Sequence, residues 1–165
     1  MAATGKKTQV PSLIYPPMTD HRFWQSTSLA AMTDTQWESL CDGCGKCCLN
    51  KLEDEDTGEI HYTRVACQLL DLKSCRCTDY DNRRSRVPDC LDLRELALDD
   101  FHWLPTTCAY RLLSEGKDLP DWHHLNTGRR GLVHKANCSI RGKAIHESDI
   151  NPDDLEEHVI QWANP

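Results

Sequence analysis

The sequence predicts a small, loop-rich single domain of the α+β class, in which short helices and short antiparallel strands surround a cysteine-bound metal centre. Three observations support this fold class. The chain has 165 residues, a length that suits one domain. Segments with helical and with strand-like hydrophobic patterns alternate along it, and each is short. Ten cysteines are present, and four of them fall within residues 41–48.

Composition divides the chain into two parts. Residues 1–19 hold three of the eight prolines and little periodic pattern, which predicts an extended N-terminal arm. Residues 20–165 carry all of the cysteines and form the predicted cysteine-cluster metal-binding domain.

The first predicted helix begins at Thr33. The segment from Thr33 to Gln36 fits a capping box, in which the two side chains bond the backbone N–H groups that the first turn leaves free. The helix directs Trp37 and Leu40 inward and leads directly into Cys41.

The strand predictions follow. The segment EIHYTRVAC, residues 59–67, alternates enough to predict a short strand. The segment CQLLDLKSCRC, residues 67–77, predicts a hairpin that turns around residues 71–74. A very acidic turn at residues 53–58 precedes the strand, and an arginine-rich loop at residues 79–90 follows the hairpin.

Two short helices are predicted in the middle of the chain. One covers residues 93–99 with Asp92 as its cap. The other runs from residue 106 or 107 to residue 115, and Gly116 ends it as a C-cap. Residues 117–137 lack a regular pattern and predict an irregular loop.

The C-terminal region predicts a strand and a final helix. The strand covers residues 139–145. The helix has Asn151 as its N-cap and Pro152 at its first position. Three apolar residues then share one helical face: Leu155, Val159 and Trp162.

Composition also limits the partners and the compartment. The formal net charge of -7 argues against non-specific binding to nucleic acid or to an anionic membrane. No apolar run approaches the roughly 20 residues that span a bilayer. The N-terminus lacks the apolar stretch of a secretory signal, so we expect a cytoplasmic protein. In a reducing compartment, cysteines serve more often as metal ligands or redox groups than in disulfides.

The segment CDGCGKCC, residues 41–48, has the form of a metal knuckle. Two thiolates two residues apart grip one ion when the loop between them is tight, and Gly43 and Gly45 allow such a loop. The first two spacings, which join Cys41, Cys44 and Cys47, also match the start of a ferredoxin run that holds iron–sulfur clusters. This segment alone leaves zinc and iron open.

The adjacent pair Cys47-Cys48 is less usual. We expect the two side chains to diverge, one toward a first metal and the other toward a second metal or a cluster iron. We also expect no disulfide between them, because the ring would be strained and the compartment is reducing. The alternative is that Cys48 packs as a small apolar residue.

The downstream cysteines supply further ligands. Cys67, Cys75, Cys77 and Cys90 fall within 24 residues, and with the first four they would suffice for two four-sulfur sites. In a strand, the spacing of Cys75 and Cys77 would place both thiols on one face. Cys108 lies inside a predicted helix, as a ligand or as core filler. The isolated cysteine at position 138 and all eight histidines are left out of the predicted site.

Basic residues near these cysteines offer charge compensation. Four thiolates around Zn²⁺ leave a net charge of -2 that nearby cations would offset. The candidates are Lys46, Lys51, Arg76, Arg83, Arg84 and Arg86.

These motifs resemble a known family. The segment CDGCGKCC, then Cys67, then the run from Cys77 to Tyr80 followed by arginines and Cys90, resembles the bacterial CxxCxxCC cysteine-cluster proteins, described as zinc- or iron-chelating. The chain also resembles the YcgN-like branch of this family. The segments that carry this resemblance are WESLCDGCGKCCL, VACQLLDLKSCRCTDY, WLPTTCAYRLLSEGKDLPDWH and the C-terminal tail. The resemblance covers roughly residues 20–165.

The resemblance implies a set of metal ligands by position. The broad family's cysteine positions correspond to Cys41, Cys44, Cys47, Cys48, Cys67, Cys77 and Cys90. Cys75 and Cys108 resemble additions of the YcgN-like branch. Cys138 does not match the motif.

The expected function is therefore that of a metal-binding module that holds zinc or iron, the latter as an ion or in an iron–sulfur cluster. One alternative is an iron–sulfur enzyme or an electron-transfer component. A related cysteine cluster in flagellin lysine N-methylases suggests another, an accessory to protein lysine methylation. A third is a thiol-based sensor or metal-handling protein. The expected partner is a metal ion; the sequence identifies no protein partner, substrate or reaction.

Overall fold

The computed structural model describes residues 22–164, which form short helices and two small β-sheets. The predicted arm at residues 1–19 lies outside the described residues. Within the described range, the α-helices are α1 (Phe23–Ser26), α2 (Asp34–Ser39), α3 (Arg83–Arg86), α4 (Ala109–Ser114), α5 (His124–Thr127) and α6 (Leu132–Lys135). The strands are β1 (Leu49–Glu53), β2 (Ile60–Ala66), β3 (Leu70–Asp71), β4 (Arg76–Cys77) and β5 (Ile145–His146). The predicted α+β class is confirmed.

The larger sheet has three strands in the order β1-β2-β5. β1 pairs antiparallel with β2, and the register places Leu49 opposite Ala66. β5 lies parallel to β2 on its other side. β2 confirms the strand predicted in residues 59–67.

The smaller sheet is the predicted hairpin of β3 and β4, in which Leu70 pairs with Cys77 and Asp71 with Arg76. The Asp71 side chain closes the turn by accepting hydrogen bonds from the backbone N–H groups of Lys73 and Ser74 at 2.8 and 2.7 Å. An aspartate that bonds the backbone two and three residues ahead is a typical turn former, which explains why this hairpin was predictable.

The capping box at the start of α2 is confirmed. The Gln36 N–H donates to the Thr33 hydroxyl at 3.2 Å, and the Thr33 N–H donates to the Gln36 side chain at 3.0 Å. Trp37 and Leu40 are buried, as predicted. α2 is therefore anchored in the core, and Cys41 follows directly after its C-cap residue, Leu40.

Two apolar cores organise the molecule. The helical core consists of Trp24, Leu29, Met32, Trp37, Leu40, Phe101, Leu104, Ala109, Tyr110 and Leu119. The sheet core consists of Leu49, Tyr62, Ala66, Leu70, Cys75, Ile140 and Ala163. Residues 41–48, here called the cysteine loop, connect α2 in the first core to β1 in the second.

The C-terminal helix prediction is wrong in type and in length. The Asn151 cap is present, but residues Pro152–His158 form a 3-10 helix. The helix ends because the following residues join the edge of β2: Val159 forms a bridge with Thr63, and the Ile160 N–H donates to the Tyr62 carbonyl at 2.8 Å. Pairing with a strand distant in sequence thus overrides the local helical pattern.

The strand predicted at residues 139–145 is mostly wrong. Only Ile145–His146 is a strand, because residues 140–144 form a turn in which Lys143 and Ala144 donate to the Ile140 carbonyl. The predicted loop at residues 117–137 contains α5 and α6.

The arginine-rich region and the segment after it also differ from prediction. The predicted loop at residues 79–90 contains α3, one turn long. The helix predicted at residues 93–99 is a 3-10 turn at Leu93–Glu95, capped by Asp92 as expected, and a second 3-10 segment follows at Leu98–Trp103.

The predicted helix at residues 107–115 is α4, which begins later, at Ala109. Cys108 is its N-cap rather than an interior residue. The C-cap is Glu115 rather than the predicted Gly116. Gly116 follows it with a left-handed φ of +70°, and the Lys117 N–H donates to the Leu112 carbonyl, so the glycine does end the helix. Among residues 22–164, no helix is long and apolar enough to cross a membrane.

Candidate metal centre

The cysteine loop is tightly turned and anchored to the sheet core. Gly43 and Gly45 both have φ of +76°, the left-handed conformation that glycine adopts without steric cost. A Cβ atom at position 45 would lie 2.8 Å from Ile140 Cγ1, so the loop backbone packs directly against the core. The Ile140 N–H donates to the Cys44 carbonyl at 2.9 Å. The predicted tight loop is confirmed.

Four thiols, here called the inner thiol group, act on one another electrostatically: Cys41, Cys44, Cys47 and Cys108. Cys41 and Cys108 pack against the helical core, and Cys44 is buried. The pKa of Cys41 is raised to about 12, mainly by burial and also by negative charge on Cys47 and Asp42. Burial also raises the pKa of Cys44, with added contributions from Asp42, Cys47 and Cys108. The four sulfurs therefore share one electrostatic environment.

The vicinal pair keeps its two sulfurs close together. The Sγ atoms of Cys47 and Cys48 lie 3.9 Å apart, and both residues are free thiols. The pair stands where the 3-10 turn Lys46–Cys48 passes into β1, so the alternation of a strand does not separate the two side chains. Sulfurs that share a tetrahedral zinc ion at 2.3 Å are about 3.8 Å apart. The observed distance therefore places two potential ligands side by side.

Cys47 is the exposed thiol of the inner group, and its pKa is lowered to about 7. The main cause is a hydrogen bond from the Cys48 thiol, which stabilises the Cys47 thiolate. Desolvation of the Cys47 thiolate raises the pKa and so opposes this effect. The positive charge of Lys51 lowers the pKa further. The same hydrogen bond and the charge on Cys47 raise the pKa of Cys48.

A second set is here called the outer thiol group. It contains Cys48, which packs against the sheet core, together with Cys67, Cys77 and Cys90. The Cys67 N–H donates to the Cys48 carbonyl at 2.9 Å, which places these two residues side by side. The hairpin then brings Cys77 back beside Cys67, because the Leu70 N–H donates to the Cys67 carbonyl and Leu70 pairs with Cys77.

Electrostatics connect the members of the outer group. Burial is the largest cause of the raised pKa of Cys67, and Cys90 and Cys77 contribute to it. Burial also raises the pKa of Cys90, which Arg83 lowers and Cys77 raises. All four outer thiols are half-buried, so this group is more accessible than Cys44.

Two cysteines stand apart from both groups. Cys75 has a left-handed φ of +58° in the hairpin turn and is buried in the sheet core. The expectation that Cys75 and Cys77 share a strand face is therefore wrong, because only Cys77 belongs to the strand. Cys138 donates to the Ala136 carbonyl at 3.4 Å, in the turn after α6.

Three of the predicted compensating cations lie at the cysteine loop. Lys46 is fully buried, and its Nζ donates to the Ala163 carbonyl at 2.9 Å and contacts the Thr107 hydroxyl at 3.3 Å. The Arg76 guanidinium lies over Gly43 and lowers the pKa of Cys41.

The third cation, Lys51, donates to the carbonyls of Cys47 and Leu49 at 2.9 and 2.7 Å. The arginines of α3 make ion pairs of their own. Arg83 and Arg84 face Asp92, Arg84 also pairs with Glu95, and Arg86 pairs with Asp79.

Sequence reasoning missed two buried polar residues beside the cysteine loop. Asp42 is only 6% exposed, and its Oδ1 accepts a hydrogen bond from the Cys44 N–H at 2.8 Å, but its Oδ2 has no partner. His124 is also buried, neither of its ring nitrogens makes a well-formed hydrogen bond, and desolvation lowers its pKa. The position of Asp42 between Cys41 and Cys44 could have marked it as a site residue. Nothing in the sequence distinguished His124 from the other histidines, which were all left out of the predicted site.

The sulfur atoms of the two thiol groups suit a thiophilic metal, although they do not converge on one point in the structure. Within residues 22–164, no three Cys, His, Asp or Glu side chains already stand at ligand positions around one point. The chemistry of the two groups suits zinc or iron, because each offers four thiols. Metal binding would therefore draw the sulfurs of each group together.

Comparisons with known proteins also indicate a metal-chelating domain. A family model described as "Putative zinc- or iron-chelating domain" matches residues 40–109, a range that contains every thiol of both groups. The UPF0260 protein of Pseudomonas putida strain GB-1 is 54% identical over 142 residues, which cover 86% of this chain and 95% of the relative. The UPF0260 protein of Agrobacterium fabrum strain C58 is 53% identical over 145 residues, 88% of this chain and 90% of the relative. No solved structure matches the chain.

Proposed function

Because the chain belongs to the UPF0260 family, we propose that it is a thiolate metal-binding protein that holds zinc or iron, the latter as an ion or in an iron–sulfur cluster. One observation carries this proposal. Eight of the ten cysteines form two groups of four within which charges on neighbouring thiols act on one another, and the 3.9 Å vicinal pair joins the groups. The resemblance to the CxxCxxCC family is confirmed, and membership of the YcgN-like branch stays a prediction.

The proposed ligands differ from the predicted set at one position. The inner centre takes Cys41, Cys44, Cys47 and Cys108, and the outer centre takes Cys48, Cys67, Cys77 and Cys90. We assign Cys75 to the sheet core, because its side chain is buried among apolar residues there.

The location of the thiols supports a structural role for the bound metal. Cys41 and Cys108 belong to the helical side, whereas Cys48 packs against the sheet core. Metal in the inner centre would tie the cysteine loop to the helical core, and metal in the outer centre would tie the same loop to the sheet core. An iron–sulfur cluster at either centre would add the capacity to transfer electrons. Lys46, Lys51 and Arg76 would offset the negative charge of the thiolates. Ten free cysteines suit a reducing compartment, so we expect the cytoplasm.

Solvent exposure of Cys47 favours a second candidate function, metal handling. A buried structural site protects all of its ligands, whereas an exposed thiolate permits exchange with the thiols of another protein. Faster metal transfer to an external thiol from the wild type than from a Cys47→Ala variant of equal metal content would favour this candidate.

Single substitutions in each group test the main proposal. Cys44→Ser and Cys77→Ser each remove one ligand, so each should lower the metal content of the purified protein measured by elemental analysis. Cys138→Ser is the matched control, because this cysteine lies outside both groups, and it should keep the wild-type metal content. Full metal retention in both Cys44→Ser and Cys77→Ser would refute the ligand assignment.

A further inference from the structure

The carboxylate of Asp42 stands in an unusual position for an acidic residue. The side chain is 6% exposed and lies between Cys41 and Cys44 in the cysteine loop. Its Oδ1 is satisfied by the Cys44 N–H at 2.8 Å, a bond that fixes the orientation of the carboxylate. Its Oδ2 is buried and has no hydrogen-bond partner.

The obvious protein partner for this oxygen is already engaged. Lys46 is the nearby buried cation, but its ammonium donates to the Ala163 carbonyl and contacts the Thr107 hydroxyl. Among the described residues, no ion pair joins Asp42 to a basic side chain. Leaving a buried carboxylate oxygen unpaired costs more free energy than leaving a neutral group so, which makes the orphan atom a strong indicator of a missing partner.

The surroundings of Asp42 indicate the nature of that partner. Its charge acts on all four thiols of the inner group: Cys41, Cys44, Cys47 and Cys108. A carboxylate among four thiols is unfavourable while all of these groups are negative, and a cation at their centre reverses that. Zinc accepts carboxylate oxygen beside thiolate sulfur.

We propose that Asp42 Oδ2 is a ligand of the metal in the inner thiol group, where it replaces one of the four thiolates in a four-coordinate shell. This inference rests on the proposed function and deepens it: the inner centre has a mixed sulfur and oxygen shell, whereas the outer centre has sulfur alone. The Asx-type bond to Cys44 holds the carboxylate, and Lys46 supplies a compensating charge without occupying the oxygen.

X-ray absorption spectroscopy of zinc-loaded protein tests this inference directly. Zinc–oxygen distances of about 2.0–2.2 Å are separable from zinc–sulfur distances of about 2.3 Å. We expect an oxygen component in the wild type and its loss in Asp42→Asn, which keeps an acceptor for the Cys44 N–H but presents a poor ligand. The affinity for zinc should fall by about 10-fold or more in the same variant.

Asp54→Asn is the matched control. Asp54 makes the same kind of turn, accepting from the Asp56 and Thr57 N–H groups at 3.0 and 2.8 Å, but it is exposed in the acidic turn. It should leave both the spectrum and the affinity unchanged.

The outcomes separate the two claims. A sulfur-only shell in zinc-loaded wild type would overturn the assignment of Asp42 and leave the proposed function intact. An oxygen component that persists in Asp42→Asn would also overturn the assignment, because water would then be its source. Failure of the wild type to bind zinc or iron at all would overturn both claims.

Discussion

At the scale of single residues, Cys47 is distinguished by its surroundings. It is the exposed member of the inner thiol group, and its Sγ lies 3.9 Å from the Cys48 Sγ, within hydrogen-bonding distance for sulfur. A hydrogen bond from the Cys48 thiol lowers the pKa of Cys47 to about 7 from the ordinary value of 9.0. The Cys47 thiolate therefore persists as the pH falls from 9 to about 7 and is lost below that.

We predict that iodoacetamide modifies Cys47 of the reduced, metal-free protein at a rate that rises through about pH 7, because the thiolate is the nucleophile. Cys48→Ala removes the hydrogen-bond donor, so in that variant the rise should move toward pH 9. Mass spectrometry of peptides from a series of pH values measures the rate. Cys138→Ala should reproduce the wild-type profile, and a wild-type midpoint near pH 9 would contradict the account.

The site residues show which single-residue properties the sequence revealed. The loop thiols from Cys41 to Cys48 were predictable, because their spacing alone indicates a knuckle. Cys75 was not, because only the turn conformation with φ of +58° shows that it leaves the strand. Asp42 was missed because an acidic residue between two cysteines shows its burial only after the loop has folded.

At the scale of elements, the sequence predicted structures that depend on neighbouring residues correctly, but it did not predict pairing between strands distant in sequence. The capping box of α2 and the Asp71 turn of the hairpin depend on residues within four positions, so the sequence contains them in full. The C-terminal segment carries an equally clear helical pattern. Its true conformation depends on a bridge between Val159 and Thr63, which no local pattern encodes.

The segment from Cys41 to Cys90 should depend on metal for its order. It contains few large apolar residues, whereas ordering a backbone residue costs about 1–2 kcal/mol. Structural zinc supplies apparent binding free energies of about 10–16 kcal/mol in small domains. We predict that a chelator increases hydrogen exchange across residues 41–90 more than across residues 132–138, which contain α6 and no proposed ligand.

Hydrogen exchange followed by mass spectrometry gives this comparison in one experiment. Chelator-treated Cys138→Ser should behave as the wild type does, whereas Cys44→Ser should show raised exchange in residues 41–90 before any chelator is added. Equal protection of that segment with and without metal would show that its order does not depend on metal.

At the scale of the whole molecule, the cysteine loop connects two small cores. The secondary-structure elements around both cores are short: α4 has six residues, and β3 and β4 have two each. The buried side chain of Lys46 adds a link from the loop to the C-terminal segment at Ala163. Metal bound by thiols from both sides would therefore stabilise the molecule as one unit.

The metal content of the protein purified without oxygen tests this central claim most directly. Elemental analysis together with an absorption spectrum should find zinc or iron bound in at least stoichiometric amount. A colourless protein would indicate zinc, and absorption near 400 nm would indicate an iron–sulfur cluster. Purified protein that contains neither metal, takes up neither on reconstitution and shows all ten cysteines reactive in the folded state would contradict the account.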